Sequence, residues 1–368
     1  MRVAALTTFA EACGIATYSE ALTAALRELG VHVDVFAPLL RSSDEARGEP
    51  PQRLWSRERA RLGEAWRVFQ ALRRARADVV HLQVNHGLVS PRFVAALSLM
   101  CRAAGLPLVA TMHGRTGGKR SRRLAFKALE LALTGSALVV HNDAHARELG
   151  GGAHVIRHGI GALERHDLGE AKRALGLDPA TRTLAHFGFL HPDKGIEAVI
   201  RALATPEARA AGELVYLVVG GTFADPVSRS YPERLRALAR TLGVDSQVRV
   251  FGEFLPDAKV TATLAAADWI VLNYASGAHQ GTSGAARVAV TSGRPIAVSR
   301  APIFDDLRAA ALTLDTLDGH ALQALFAEPH LSADATRRAA KYCEASSWRA
   351  VAREHMDLYE RALARRRG

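Results

Sequence analysis

Cysteine is scarce in this sequence, with Cys13, Cys101 and Cys343 as the three among 368 residues. They stand far apart and form no Cys-x-x-Cys pair, so neither a disulfide framework nor a thiolate metal site is indicated. Long apolar runs are also missing, and no stretch approaches the roughly 20 residues that a membrane-spanning helix needs. The apolar run at residues 3–6 is too short for the core of a secretory signal. We therefore expect a cytoplasmic protein in a reducing compartment.

Aromatic residues are few as well, at 6% of the chain, although the net charge is +11. The basic residues are spread through an Ala/Arg-rich chain, without the interleaving of basic and aromatic residues that is typical of RNA-binding surfaces. Zinc-finger spacing is absent too. Dispersed basic residues usually form solvated faces, so nucleic acid is not the expected partner.

The composition that remains is that of a soluble globular protein, with 48% hydrophobic and 23% charged residues. A chain of 368 residues is too long for one ordinary core, and two domains are expected.

Alternation of short apolar runs with helical patterns fills both halves of the chain. The runs that predict strands cover residues 1–8, 31–37, 79–82, 106–112 and 137–141 in the first half, and 184–190, 214–219, 248–251, 269–272 and 296–298 in the second. Residues 41–53 are expected to form a loop, and residues 164–178 a polar connector. Such alternation predicts two α/β domains with doubly wound parallel sheets, facing across a cleft.

A glycine-rich segment at residues 273–299 joins a predicted buried strand to a helix start. It contains Gly277, Gly281 and Gly284 together with Thr282 and Ser283. A helix N-terminus leaves backbone N–H groups unpaired and carries roughly half a positive charge, so it suits a phosphate. A glycine-rich turn made only for packing would look the same.

Two further positions follow predicted strands. Gly14 and Ile15 come after the first strand, at the sheet edge where open α/β sheets bind ligands, although a plain tight turn would also explain them. His113 comes just past the strand at residues 106–112. It is well placed to meet a ligand, and a histidine satisfied by a backbone partner would show the same pattern.

A basic segment runs from Lys119 to Lys127 and leads into an amphipathic helix. Such a segment can lie on an anionic membrane surface, and a solvated helix face is at least as good an explanation.

Short motifs in register over nearly the whole chain resemble those of the GT-B fold glycosyltransferases of family 4, a group of retaining enzymes. The motifs are Gly14-Ile15-Ala16-Thr17-Tyr18, Asp78-Val79-Val80-His81, His158-Gly159-Ile160, Phe187-Gly188-Phe189, Lys194-Gly195, Phe251-Gly252, Ala267-Asp268, Ser292-Gly293-Arg294-Pro295 and Ser347-Trp348-Arg349-Ala350-Val351-Ala352.

The resemblance implies a GT-B protein with two Rossmann-like domains. Residues 1–164, with a C-terminal helix at 346–368 that crosses back, would form the acceptor-side domain, and residues 165–345 the domain that binds the donor nucleotide. The implied activity is sugar transfer from a nucleotide-diphosphate donor to a hydroxyl of a glycan, glycolipid or metabolite, with retained anomeric configuration and without a required metal or other cofactor. The alternative is a non-catalytic GT-B scaffold or regulator that binds sugar nucleotides.

The resemblance also implies roles for individual residues. Lys194 matches the phosphate-binding lysine of the family, and the N–H groups of Gly281, Thr282 and Ser283 would hold the same diphosphate. His113 matches the histidine near the donor sugar. The implied ligand-binding positions also include Gly14, Ile15, Gly188, Gly252, Phe254 and Leu255, the last three beside the base.

Three positions depart from the family pattern. Phe189 stands where most members have arginine, and Gln280 and Val288 stand where members usually have glutamates. Gln280 can still hydrogen-bond to a sugar hydroxyl, but Val288 cannot hold ribose hydroxyls. Either the donor has fewer ribose hydroxyls, as in a dTDP-sugar, or another residue has taken over that role.

Arg287 lies on the helix face four residues after Ser283. It could replace the missing cation in catalysis, or it could pair with Asp305 or Asp306 as a structural bridge.

Overall fold

The computed structural model describes residues 1–11, 13–40, 50–57, 62–85, 88–113, 120–210, 212–222, 225–275 and 283–365. By its internal contacts the chain divides into two units. One is formed mainly by Met1–Gly159 and Ser346–Gly368, and the other by Ile160–His279 and Ser283–Ala345. The sequence prediction set the boundary at residue 164. Ile160 is 2% exposed and packs in the core of the second unit, so the second unit begins at residue 160, ahead of the predicted boundary.

The first unit is a seven-stranded sheet with helices on both faces. Its elements are β1 (Arg2–Leu6), α1 (Gly14–Glu28), β2 (His32–Pro38), β3 (Gln52–Trp55), α2 (Leu62–Arg74), β4 (Val79–Val84), α3 (Pro91–Ala103), β5 (Leu108–Met112), α4 (Arg120–Ala132), β6 (Ala137–Val140), α5 (Asp143–Glu148) and β7 (His154–Val155). The strand order is β3-β2-β1-β4-β5-β6-β7, and every pairing is parallel.

The second unit repeats this plan with six strands. Its elements are α6 (Leu168–Ala174), β8 (Arg182–Phe187), α7 (Ile196–Leu203), α8 (Pro206–Ala210), β9 (Leu214–Val219), α9 (Pro226–Thr241), β10 (Val248–Phe251), α10 (Asp257–Ala265), β11 (Trp269–Leu272), α11 (Gly284–Thr291), β12 (Ile296–Ser299), β13 (Leu312–Leu314), α12 (Gly319–Ala327) and α13 (Pro329–Ala345). The parallel strand order is β10-β9-β8-β11-β12-β13. The last helix, α14 (Trp348–Ala364), belongs to the first unit and packs on α1.

The burial of whole strands is consistent with parallel sheets. All six residues of β4 and all six of β9 are buried, as expected for strands that helices cover on both faces. Caps explain where several helices begin. Ser90 accepts a hydrogen bond from the Phe93 N–H at the start of α3, and Asp225 accepts one from the Ser228 N–H at the start of α9. The predicted α/β class with two doubly wound sheets is thus confirmed.

Two segments differ from the sequence prediction. Part of the predicted loop at 41–53 is β3, an edge strand whose Trp55 is fully buried and stacks on Phe93 with ring centroids 5.7 Å apart. The predicted connector at 164–178 contains α6. Asp167 caps this helix, and its buried Lys172 forms an ion pair at 2.8 Å with the partly exposed Asp268. Both segments are too short to show a clear periodicity in the sequence. Their burial depends on partners that are distant in the chain, so no local pattern indicates it.

Within the described residues, no helix combines the length and the apolar character that a bilayer span requires.

Candidate functional site

The second sheet has its topological switch between β8 and β11. From the central β8 the chain proceeds to β9 and β10 on one side and to β11, β12 and β13 on the other. The carboxyl ends of β8 and β11 therefore open a crevice, and such a crevice is where open α/β sheets bind ligands. The segments that leave these two strands carry most of the predicted donor-site residues.

Lys194 lies at this switch point, in a short turn after β8. Its side chain is 9% exposed, its ammonium is 3.5 Å from an Asp193 carboxylate oxygen, and it lies 4.2 Å from the centroid of the Tyr274 ring. Burial lowers the pKa of Lys194 from its ordinary value, and the Asp193 carboxylate partly offsets this effect. A cation held this way, with a weak ion pair and a ring face, is suited to an anionic ligand.

Glycines allow the two segments to approach so closely. Gly195 has φ +65°, and a Cβ at this position would lie 1.8 Å from the carbonyl oxygen of Asn273. The segments are also joined by a 2.9 Å hydrogen bond from the Ala275 N–H to the Asp193 carbonyl. Any side chain at residue 195 would push Lys194 away from Tyr274.

Ser283 begins α11 and caps it, because its hydroxyl accepts a 3.2 Å hydrogen bond from the Ala286 N–H. The Tyr274 hydroxyl is held by Ser283, and burial of the ring raises the Tyr274 pKa to about 12. The Tyr274 hydroxyl lies close to Gly188, where an added Cβ would be 3.1 Å from it. Lys194, Gly188, Tyr274 and Ser283 therefore form one cluster. The other predicted residues of this loop, Gln280, Gly281 and Thr282, lie outside the described residues.

Two exposed aromatic rings stand at the same edge of the sheet. Phe189 is 39% exposed and Phe254 is 72% exposed. Their rings meet edge to face with centroids 5.5 Å apart. Within the same turn, Gly252 lies against Pro232, and Leu255 packs on the core. Phe189, at the position where most members of the family have arginine, thus forms an exposed aromatic surface with Phe254.

Arg287 forms an ion pair within the second unit. The sequence allowed either this structural bridge or a catalytic role. Its guanidinium pairs with the carboxylate of Asp306, and the two side chains are 4% and 3% exposed. It also donates a 3.0 Å hydrogen bond to the Ser283 carbonyl. In this geometry the guanidinium holds the first turn of α11 in place. Val288, on the next helix position, is 38% exposed.

In the first unit, Gly14 is exposed at the start of α1, and a Cβ built there would have no atom within 4 Å. Ile15 is half-buried and packs on the core. The first residue of α1 is therefore accessible within this unit, and the residue after it fixes the helix start to the core.

His113 follows β5 at the carboxyl edge of the first sheet. Its Nε2 is 2.5 Å from Gln83 Oε1, and its ring meets the edge of the Tyr18 ring at 4.8 Å. A side-chain partner thus satisfies the ring. The neighbours of Tyr18 also include Trp348, and Gly159 leaves room for that indole, since a Cβ there would lie 2.2 Å from it.

A chain of buried hydrogen bonds continues behind His113. Gln83 Nε2 is 3.2 Å from His81 Nε2, and the Tyr359 hydroxyl of α14 is 2.7 Å from His81 Nδ1. Because the Gln83 carbonyl can only accept, His113 donates from Nε2, and Gln83 donates to His81. These partners assign the Nε2–H tautomer to a neutral His113.

Burial keeps these histidines neutral. It lowers the pKa of His113 to about 3 and that of His355 to about 4, and His355 itself contributes to the lowering at His113. The pKa of His81 is also well below its usual value, mainly through burial. His113 is therefore a hydrogen-bonding group and not a cation at neutral pH.

Sequence reasoning missed Tyr274, Asp193, Gln83, His81 and Tyr359 as members of these clusters. Tyr274 had one usable signal, its position two residues after a buried strand in the glycine-rich segment. The partnership of Tyr359 with His81 joins residues 278 positions apart, and no local pattern encodes it. Among the described residues, no group of three or more His, Cys, Asp or Glu side chains could hold a metal ion.

Comparison with known proteins adds a family to this geometry. Residues 13–160 match the family described as Glycosyl transferase 4-like domain. Two D-inositol 3-phosphate glycosyltransferases are similar in sequence. That of Saccharomonospora viridis is 28% identical over 300 residues, which cover 72% of this chain and 67% of the relative. That of Actinosynnema mirum is 40% identical over 100 residues, which cover 26% of this chain and only 22% of the relative.

Solved structures show the same fold at low sequence identity. The Anabaena protein HepE in complex with UDP has a TM-score of 0.75 and 14% identity, over 98% of this chain and 100% of HepE. The sucrose-phosphate synthase of Thermosynechococcus elongatus has a TM-score of 0.70 and 16% identity, over 99% of both chains. The family match over residues 13–160 and the fold confirm the resemblance found in the motifs, and the chain is similar to glycosyltransferases of GT-B fold.

Proposed function

We propose that this protein is a retaining glycosyltransferase that moves a sugar from a nucleotide-diphosphate donor to an acceptor hydroxyl, without requiring a metal. One observation carries the proposal: Lys194, buried at the switch point of the second sheet, has within the described residues only a 3.5 Å contact to Asp193 and a tyrosine ring beside it. A buried cation with so little compensation favours an anionic partner.

The donor diphosphate would lie between Lys194 and the N-terminus of α11. Without a metal, protein groups must stabilise the departing diphosphate as its charge develops. A charge-assisted hydrogen bond from Lys194 would contribute about 1.5–3 kcal/mol. Backbone N–H groups of Gly281, Thr282 and Ser283 would add the helix-terminus contribution.

The base of the donor would rest on the aromatic surface of Phe189 and Phe254. Exposed rings offer a face or an edge to a flat base, and Gly252 and Leu255 belong to the same turn. HepE has been solved with UDP and with UDP-glucose, which makes UDP-sugars the first donors to test. The exposed Val288 keeps the dTDP-sugar hypothesis open, and a measured preference for UDP over dTDP would count against it.

The first unit would contribute neutral hydrogen bonding. His113 is fixed by Gln83, and its other nitrogen, Nδ1, for which the described residues show no hydrogen bond, would accept from a sugar hydroxyl. The open N-terminus of α1 at Gly14 would approach a phosphate or the acceptor. We propose a glycan, glycolipid or metabolite as the acceptor. Because curated relatives are named D-inositol 3-phosphate glycosyltransferases, a phosphorylated polyol belongs in the first acceptor panel.

A peripheral membrane contact through the segment from Lys119 to Lys127 remains part of the proposal. In α4, Leu124 is 62% exposed and Leu131 is 77% exposed, with the exposed Lys127 between them. Apolar side chains seven residues apart share one helix face, which suits the boundary of an anionic bilayer. Co-sedimentation with anionic and neutral vesicles tests the contact, and equal binding to both would remove it.

The deciding experiment is a thermal-shift panel of UDP, GDP, ADP, dTDP and CMP, followed by hydrolysis and transfer assays with sugars of the nucleotide that binds. A nucleotide at one hundred times its Kd should stabilise the fold by about 2.7 kcal/mol. Lys194→Ala should abolish the shift. A flat panel would contradict the proposal and favour the non-catalytic alternative, which the engagement of Arg287 by Asp306 and the absence of arginine at residue 189 support.

A further inference from the structure

We infer that the first unit holds a separate binding site for a phosphate-bearing ligand, at the amino edge of its sheet. A cavity of about 440 Å³ lies there, lined by Arg102, Arg361, Arg365 and His154 together with the buried Ser98. Its volume is within the range of small-molecule sites. His113 follows the carboxyl end of β5, whereas Leu108 at the amino end of β5 lines the cavity. The two sites are therefore at opposite ends of the strands.

Two helices present their polar groups to this cavity from matching positions. Ser98 and Arg102 are four residues apart on α3, and Arg361 and Arg365 are four residues apart at the end of α14. Residues at this spacing share one face of a helix. The guanidinium groups therefore approach the same space from two walls.

The Arg102 side chain is held in place by the turn at Thr134 and Gly135. Its guanidinium donates to the carbonyl of Thr134. Gly135, with φ +84°, lets the side chain lie against this turn, since a Cβ there would be 3.3 Å from Arg102 Nη2. The remaining N–H groups of the guanidinium can serve a ligand.

The charge of the cavity has one sign. None of its described lining residues is an aspartate or a glutamate. The pKa of His154 is lowered by burial first and then by the positive charges of Arg361 and Arg365, so those charges act at the wall of the cavity. Guanidinium groups match phosphate oxygens in charge and in fork geometry.

Ser98 gives a second, independent indication of a ligand. Its residue is 5% exposed, and its hydroxyl has no hydrogen-bond partner in the described part of the chain. Buried hydroxyls are normally satisfied, and the cavity is the space that Ser98 lines. A ligand oxygen there would complete the hydrogen bonding of Ser98 while its phosphate meets the arginines.

The size and the open polar walls suit a phosphorylated sugar or polyol, and the same phosphate chemistry could belong to a lipid headgroup. Calorimetric titration of the full chain with glucose 6-phosphate, with glucose as the uncharged control, tests for the site. Vesicles of phosphatidic acid and of phosphatidylcholine test for the lipid source. Binding to the sugar phosphate identifies a free metabolite. Binding to phosphatidic acid vesicles alone, if it is lost in R361E/R365E, identifies a headgroup and separates the cavity from the proposed membrane contact of α4.

Variants separate this cavity from the proposed donor site. The double charge reversal R361E/R365E changes two exposed side chains and should abolish binding while the circular dichroism spectrum stays the same. Arg337→Glu reverses an exposed arginine of the second unit and is the matched control. Ser98→Ala should weaken binding about tenfold, which is close to the loss of one hydrogen bond.

Binding that persists in Lys194→Ala and disappears in R361E/R365E supports the inference. Three results would overturn it: no binding of either phosphate source, equal binding of glucose, or binding that R361E/R365E leaves unchanged. Failure here would leave the nucleotide panel unaffected, because that panel depends on the second unit.

Discussion

The carboxyl edges of the two sheets follow the same strand plan but hold different kinds of polar group. In the first unit, His113 ends a chain of neutral hydrogen bonds through Gln83 and His81 to Tyr359. In the second unit, Lys194 is a buried cation with a weak ion pair and a tyrosine ring beside it.

The difference shows how one backbone plan can serve two kinds of ligand group. A satisfied neutral network fixes orientation and costs little desolvation, which suits the recognition of hydroxyls. A desolvated cation has free energy to gain from an anion, which suits a diphosphate. If the two edges differ in this way, loss of the Lys194 cation should affect turnover more than loss of a neutral partner such as Gln83.

The largest expected effect comes from Lys194. Lys194→Ala should reduce turnover on the order of 10²- to 10³-fold, because it removes a group aimed at the departing charge. Steady-state kinetics with the identified donor measures this. Lys172→Ala is the matched control: Lys172 is also buried but pairs with Asp268 at 2.8 Å, so its loss should lower stability and leave turnover per folded molecule unchanged. Similar turnover losses in both variants would show that Lys194 is only structural.

Arg287 should behave as a structural residue of the second unit. Removing one partner of a buried ion pair costs about 3–5 kcal/mol, so Arg287→Ala should lower the free energy of unfolding by that order. Arg287→Met with Asp306→Leu should recover much of it, since no buried charge is left unpaired. Urea titrations measure both. A turnover loss far larger than the stability loss would instead assign Arg287 to catalysis.

Acid should destabilise the first unit more than the second. His81, His113 and His355 in the first unit and His186 in the second have lowered pKa values, to about 3 for His113 and His186 and about 4 for His355, all with burial as the largest cause. The unfolded chain takes up protons below its ordinary pKa of about 6.5, whereas the folded chain does not. Stability is therefore intact above pH 6.5 and falls as the pH decreases towards the folded pKa values, by about 2 kcal/mol per histidine at pH 5.

Unfolding free energies between pH 7.5 and 5, with hydrogen exchange to separate the units, measure this fall. His355→Gln should flatten it, and His320→Gln should not, because the His320 side chain is 77% exposed. A first unit whose opening free energy, obtained from exchange rates corrected for their intrinsic pH dependence, stays constant between pH 7.5 and 5 would contradict the neutral network.

The smallest expected effect belongs to Gln83, which positions His113. Gln83→Met should lower turnover about tenfold, because His113 and His81 both lose a partner, and Gln323→Met serves as the distant control. Nitrogen chemical shifts of His113 should show the Nε2–H tautomer in the parent chain and a mixture in the variant. An unchanged tautomer would remove Gln83 from this role.

Much of the fold was predictable from local patterns. The strands β4 and β9, the helix from Ile196 to Leu203 and the start of α11 at its Ser283 cap are each encoded within a few residues, by hydrophobicity and capping. The edge strand β3 and the helix α6 were not predicted, because Trp55 and Lys172 are buried by partners far away in sequence.

The candidate site divides in the same way. The positions of Lys194, Ser283, Gly14 and His113 just after strands follow from the strand pattern, and their roles stay predictions. The sequence could not predict that Arg287 pairs with Asp306 and not with Asp305. The two carboxylates are adjacent in the chain, and only the folded backbone decides which one faces the guanidinium.

The sequence by itself determined most of the order of strands and helices, the glycine positions and the resemblance to a glycosyltransferase family, because periodicity, backbone preference and short motifs are local properties. Only the tertiary structure decided that Tyr274 would face Lys194, that Tyr359 would reach His81, and that Arg102 would share a cavity with Arg361. The register of parallel strands and the packing of helices set those contacts, and both depend on the whole unit being folded.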